Sequence, residues 1–249
     1  MMKSYAEELT LKTRDCDLTG AWRPGALLEA MQETATTHAE LLGVGRHALL
    51  NQGLAWVVTR LELEMDRYPL LQQRVTVETW PMPMRRWFFP RYFVCRDEAG
   101  QEIGRAATLW VLLNLDSRQM ARSESVAALM PDNRDLPAPL GLPAPVTEVS
   151  GTLQEGLIRP AYTDLDPNCH VNNARYADWA CNALGAETLG RQELSHLVIS
   201  FAHEVRLGDE IHTELRQLDG AFSFSGFRGD VRCFDVGGTL RPRQGGVAR

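Results

Sequence analysis

Arg14–Met31 reads RDCDLTGAWRPGALLEAM and Tyr162–Ala180 reads YTDLDPNCHVNNARYADWA. With Asp15 set over Asp164 and Asp17 over Asp166, both stretches leave an acidic Asp-x-Asp strand end and enter a helix in the same register, the signature of an internal duplication. Outward from each, the order of parts repeats as helix, loop and a run of strands. The first helix is expected from Pro24, a good first-turn residue, with Leu27, Leu28, Met31, Ala35, His38, Leu41 and Leu42 along one stripe and Gly43 as its stop. The second is expected from Asn172 or Asn173 as cap, with Tyr176, Trp179, Ala180, Ala183 and Leu184 on one side and Gly185 as its end.

After each helix the hydrophobic period falls towards two. WVVTRLELEM, RVTVETW, RRWFFPRYFVCRD and GRAATLWVLLNL follow the first; HLVISFAHEVR, EIHTELRQL, AFSFSGFR and VRCFDVGG follow the second. DEAGQE and LDGA read as hairpin turns. Between the copies lies Met130–Pro145, MPDNRDLPAPLGLPAP, with five Pro in sixteen residues, which a helix or strand would not tolerate. The division is therefore a first unit over 1–129, a Pro-rich linker over 130–150 and a second unit over 151–249. Each unit is a long helix with an antiparallel sheet, an α+β design.

Composition narrows the function classes. At 249 residues with 44% hydrophobic and 23% charged side chains, the chain can bury a sizeable core. A net charge of -6 argues against nucleic acid as main partner. No window reaches the roughly 18 apolar residues of a membrane span, and the first residues lack a secretory apolar core, so a cytoplasmic location is expected. Cys16, Cys95, Cys169, Cys181 and Cys233 form no CxxC pair, which points to free thiols and neither a disulfide framework nor a zinc knuckle. No metal and no cofactor are expected.

The polar cluster Thr163–Asn173, TDLDPNCHVNN, carries the chemistry. Asp164, Asp166 and Asn168 alternate as at the start of a calcium loop, but the Gly and Glu that such a loop needs at its sixth and twelfth positions are Cys169 and Arg175. HEVRL at His203–Leu207 lacks the second His of a zinc helix, GVGRHA follows a helix where a dinucleotide fingerprint follows a strand, and no GxSxG elbow is present. Asp164, Asn172 and Asn173 read first as turn and capping residues. His170 stands apart, since an imidazole beside a helix start can move a proton where backbone N–H groups can hold an oxyanion. The first copy has Thr19 for Asn168 and Ala21 for His170, a contrast that divides the chain into an active and a silent half.

DLDPNCHVNNARY resembles the signature of the acyl-acyl carrier protein (acyl-ACP) thioesterases, which are double hot-dog proteins. Val77–Arg122 is similar to that family's Thr-Trp-Pro strand, Arg-rich turn and Trp-bearing strand with a following Arg. FAHEVRLGDEI is similar to the strand that supplies an acidic catalytic residue. The resemblance implies a tandem hot-dog forming an intrachain pseudo-dimer, and hydrolysis of fatty acyl-ACP to free fatty acid, with an acyl-CoA thioesterase or a non-catalytic acyl-binding module as alternatives. It assigns catalysis to Asp166, Asn168, His170 and Glu204; Val205 stands where some plant members have Cys, so water must be the nucleophile. On this reading the backbone N–H groups of Val171, Asn172 and Asn173 receive the oxyanion. Met31, Trp56 and Trp110 line an acyl sleeve in the silent first half, and Arg85, Arg86 and Arg91 meet the acidic carrier. The chain would act as a monomer or homodimer.

Overall fold

The computed structural model describes residues 2–243. The first half holds β1 (Tyr5–Thr10), α1 (Pro24–Leu41), α2 (Arg46–Leu50), β2 (Leu54–Met65), β3 (Arg74–Pro81), β4 (Phe89–Asp97), β5 (Glu102–Asn114), β6 (Met120–Ala121) and α3 (Glu124–Ala128). The second holds β7 (Thr152–Ile158), α4 (Arg175–Leu184), α5 (Ala186–Arg191), β8 (Gln192–Phe201), β9 (Ile211–Leu218), β10 (Ala221–Arg228) and β11 (Val231–Pro242). The strands join in one antiparallel sheet ordered β1-β3-β4-β5-β2-β8-β11-β10-β9-β7, with β6 against β5. Read outward from the central pair, both wings give the same sequence of parts. The seam is β2 against β8, in register from Arg60↔Ser200 to Glu64↔His196, so each half supplies the edge that the other would leave unpaired.

The helices lie together on one face of this sheet. Pro24 opens α1, and Gly43 ends it at φ 76. Leu27, Leu28, Met31, Ala35 and His38 turn inward as the stripe requires, whereas Leu41, expected on it, is 56% exposed at the last turn. Leu27 and Met31 of α1 share a single core with Tyr176 and Trp179 of α4, Phe93 of β4 and Phe234 of β11. Tyr176 meets Phe234 edge-on at 4.8 Å and Phe201 at 5.3 Å, contacts worth about 1 kcal/mol each beyond their burial. Across the helix pair, Arg23 bonds Asp178 at 2.6 Å and Arg175 bonds Glu29 at 2.6 Å. Gly25 makes room for this network, because a Cβ there would fall 2.1 Å from Asp178 Oδ1.

The linker explains why β4 is buried on both faces. Phe93 and Cys95 point to the helical core, while Tyr92 and Val94 pack on the opposite face with Trp80, Leu136 and Leu140. Residues 130–150 contain no helix or strand, yet they are tied down. Pro137 C=O accepts from the Trp80 indole at 3.0 Å, Asn133 Nδ2 donates to Pro81 O at 2.7 Å, and Val149 N–H donates to Ser223 Oγ at 3.0 Å. The linker is thus a strap laid over the outer face of both wings.

Some elements differ from expectation. α4 starts at Arg175, because Asn172 Oδ1 is spent on Ala174 N–H at 2.9 Å in a turn that precedes the helix. The strand expected to reach Arg206 stops at Phe201. β11 stays paired with β8 as far as Pro242; the chain beyond Arg243 lies outside the described residues. Among the described residues no helix is long and apolar enough to cross a membrane.

Candidate active site

Asp166 ties the cluster into a closed turn. Its Oδ1 accepts from Asn168 N–H at 2.8 Å and from His170 N–H at 3.4 Å, its Oδ2 accepts from Asn168 Nδ2 at 3.2 Å, and its own N–H donates to His170 O at 2.8 Å. The first half repeats the pattern. Asp17 Oδ1 accepts from Thr19 N–H at 2.8 Å and Ala21 N–H at 3.3 Å, and Asp17 N–H donates to Ala21 O at 2.8 Å. The left-handed position is Gly20 at φ 81 in one copy and Cys169 at φ 60 in the other, a conformation that glycine adopts freely and a cysteine only under strain. Because Asp17 does this with no imidazole nearby in its turn, the matching bonds identify Asp166 as the residue that shapes the loop.

On that loop His170 points its Nε2 to Glu204 Oε2 at 3.1 Å. Glu204 sits just past β8, where Ala202 N–H and His203 N–H both donate to Cys233 O at 2.9 Å and turn the chain. Its other oxygen, Oε1, accepts from Arg206 Nη2 at 2.5 Å and from Arg118 Nη2 at 3.0 Å. Burial pushes the Glu204 carboxyl up, but hydrogen bonds and charge from Arg118, His170 and Arg206 outweigh this and hold it below the usual range. Arg118 comes from the β5–β6 turn of the first half, at φ 57, so the site is assembled across the two halves. Arg228 adds a bond to Glu204 O at 3.3 Å, and Arg46, from α2, reaches Asn168 Oδ1 at 3.4 Å. Sequence reasoning missed Arg118, Arg206, Arg46 and Arg228. Only Arg206, two residues from Glu204, stood close enough in sequence to be found.

The other candidates fall unevenly around this centre. Asn168 bonds Asp166 and Arg46, with no contact to the His170 ring or the Glu204 carboxylate among its hydrogen bonds. Two of the three expected oxyanion donors are taken: Val171 N–H bonds Val205 O at 2.9 Å and Asn172 N–H bonds Asp164 O at 2.8 Å. Each closes the turn onto its neighbours, and only Asn173 N–H has no acceptor among the described residues. Met31 is 2% exposed inside the main core and lines no cleft. Trp56 and Trp110 border a separate apolar cluster formed by Leu42, Val44, Leu49, Leu54, Phe89 and Leu112. Arg85 and Arg86 are exposed at a tight turn, with Arg122 stacked 4.4 Å over the neighbouring Trp87. Arg91 cannot meet a carrier, because it is 7% exposed and donates inward to His38 Nδ1 and Thr79 Oγ1, each at 3.2 Å. Burial lowers the Arg91 guanidinium to about 10. Burial, then the Arg91 charge, lowers His38 to about 4, while the Met2 backbone pulls the other way by favouring the charged ring.

Two helix-and-sheet units fused about one seam, with an imidazole–carboxylate pair at the turn of the second half and Ala21 in the matching place of the first, define a double hot-dog protein. The models of the acyl-ACP thioesterase N-terminal and C-terminal domains match residues 2–127 and 150–226. The chain belongs to the acyl-ACP thioesterase family. It is 31% identical over 201 residues to the chloroplastic palmitoyl-acyl carrier protein thioesterase of Gossypium hirsutum, covering 72% of this chain and 46% of that one. Against the chloroplastic palmitoyl-acyl carrier protein thioesterase of Arabidopsis thaliana it is 26% identical over 228 residues, covering 83% and 53%. The chain spans about half the length of the curated relatives it matches. An acyl-ACP thioesterase structure from Bacteroides thetaiotaomicron superposes with a TM-score of 0.86 at 23% identity, over 96% of this chain and 98% of the other, and shares its fold.

Proposed function

We propose that the protein hydrolyses the thioester of fatty acyl-ACP, releasing free fatty acid. The observation that carries this reading is the 3.1 Å contact between His170 Nε2 and Glu204 Oε2, with Arg118 and Arg206 on the other carboxylate oxygen. With Glu204 ionised, the imidazole proton belongs on Nε2, which leaves the Nδ1 lone pair to act as base. A carboxylate held by two guanidiniums is a weak base, so Glu204 orients the ring and stabilises the imidazolium that forms. His170 takes a proton from water as the new C–O bond closes; the tetrahedral intermediate then breaks its C–S bond, and the imidazolium returns the proton to the departing thiolate. General-base help of this kind is worth about 10²–10⁴-fold. The oxyanion is received by Asn173 N–H and the guanidiniums of Arg118 and Arg206, each donor worth on the order of 3 kcal/mol. Asp166 and Asn168 act through the loop that carries His170.

The apolar cluster bordered by Trp56 and Trp110 includes Leu112 of β5, the strand that leads into the turn carrying Arg118, and this neighbourhood supports it as the acyl sleeve. Exposed Arg85, Arg86 and Arg122 suit an acidic carrier. Release of free thiol from a series of acyl chains, each on ACP and on coenzyme A, tests the reading: hydrolysis of acyl-ACP is expected, with charge reversal at Arg85 and Arg86 raising KM for ACP substrates more than for coenzyme A substrates. Equal KM effects on both carriers would remove the docking surface. A preference for coenzyme A would favour the acyl-CoA alternative, and no thiol release from either would leave an acyl-binding module.

A further inference from the structure

The silent half keeps an open cleft. Asp66 N–H and Arg67 N–H donate to Ile103 O as Ala202 and His203 do to Cys233 O, and the bridge Ala21↔Leu70 repeats the bridge His170↔Arg206. By this correspondence Ala21, Tyr68 and Leu70 replace His170, Glu204 and Arg206. A cavity of about 380 Å³ lies beside Tyr68, walled by residues of both halves, with Leu18, Pro24, Leu189 and Leu194 as its apolar surface.

Its polar wall is selective. Arg23 is neutralised by Asp178 through two bonds of 2.6 and 2.8 Å. Arg243 is held by Asp17 at 2.6 Å and faces Glu193 at 3.7 Å. Arg241 holds Glu193 at 2.8 Å and Arg175 adds a bond to Asp178 at 2.8 Å, so every cation of the wall is already paired and none is left for an anionic ligand. By contrast, Trp22 Nε1 and Tyr68 OH have no hydrogen-bond partner among the described residues, although Trp22 is 1% and Tyr68 7% exposed and both residues belong to the cavity wall. Buried donors without acceptors are costly and call for one.

We propose that this cleft is a second, non-hydrolytic binding site for an uncharged, chain-bearing carbonyl compound, such as a fatty acyl amide or ester. Its oxygen accepts from Tyr68 OH and Trp22 Nε1–H while its chain lies on the apolar wall. The inference is independent of the hydrolytic reading, because no residue of the His170 site takes part.

The test uses the full chain labelled with ¹⁵N, in which the Trp22 indole resonance is identified by its loss in Trp22→Phe. Octanamide is expected to move that resonance in a saturable way. Octanoate should bind there at least about tenfold more weakly, as its charge would leave water and find no unpaired cation. Tyr68→Phe removes one donor from a hydroxyl that has no partner in the fold, so it should fold normally, keep its thiol-release rate and bind octanamide about five- to tenfold more weakly. An unmoved Trp22 resonance at millimolar octanamide, undiminished binding in Tyr68→Phe, or equal binding of octanoate would each overturn the proposal.

Discussion

Glu204 Oε2 faces His170 and Oε1 faces Arg118 and Arg206, so one carboxylate couples a residue of the first half to the imidazole in the second. Glu204→Gln keeps the shape and removes the charge, and is expected to lower kcat by about 10²-fold with little change in KM. Arg118→Met should lower kcat less, and the double variant should lose less than the product of the single effects, because both act through one bond. Strictly multiplicative losses would mean that Arg118 and Glu204 act separately. His170 and Glu204 were legible as residues, through the polar cluster and the family resemblance. Arg118 was not, since nothing local in NLDSRQMAR says that its turn reaches across the seam.

At the scale of the element, the duplicated turn separates shape from chemistry. Asp17→Asn and Asp166→Asn each weaken the bonds that close a turn, and each is expected to cost about 1–2 kcal/mol in urea unfolding. Only Asp166→Asn should also reduce turnover, because its turn alone carries the imidazole. Equal turnover in the two variants would contradict the division into an active and a silent half.

A second contact belongs to α1 and β4. His38 is fully buried and lowered to about 4 from an ordinary 6.5, so between these values the unfolded chain binds more protons than the folded one. Stability therefore rises with pH through this window and is lost as pH falls from 6.5 towards 4, by up to about 3 kcal/mol. His38→Leu should flatten that dependence in unfolding midpoints measured from pH 4 to 7, and an unchanged slope would place the effect elsewhere. The Arg91 side of this contact was hidden from sequence reading. In FFPRYFVC an Arg beside an Arg-rich turn looks solvent-facing, yet the strap over 130–150 covers the outer face of β4 and period two sends Arg91 inward with Phe89 and Phe93.

The whole molecule is organised by the seam between β2 and β8. The alignment of Asp15 with Asp164 anticipated two like units, and their mirrored wings share one helical core. Sequence could not show that the linker is a tied strap, because its hydrogen bonds are made mainly by backbone groups and depend on which sheet face it crosses. Nor could it show which N–H groups at the start of α4 are already spent. That Val171 and Asn172 are occupied follows only from the closed turn and from its contact with Val205.

We infer one active site per chain, with His170 as its base and no hydrolytic chemistry at the matching turn of the first half. The most direct measurement is single-turnover hydrolysis of a fatty acyl-ACP by wild type and by His170→Ala, with the fold of the variant checked by its unfolding midpoint. A loss of at least about 100-fold in the chemical step is expected with the fold intact. A folded His170→Ala protein that hydrolyses the thioester at the wild-type rate would contradict it.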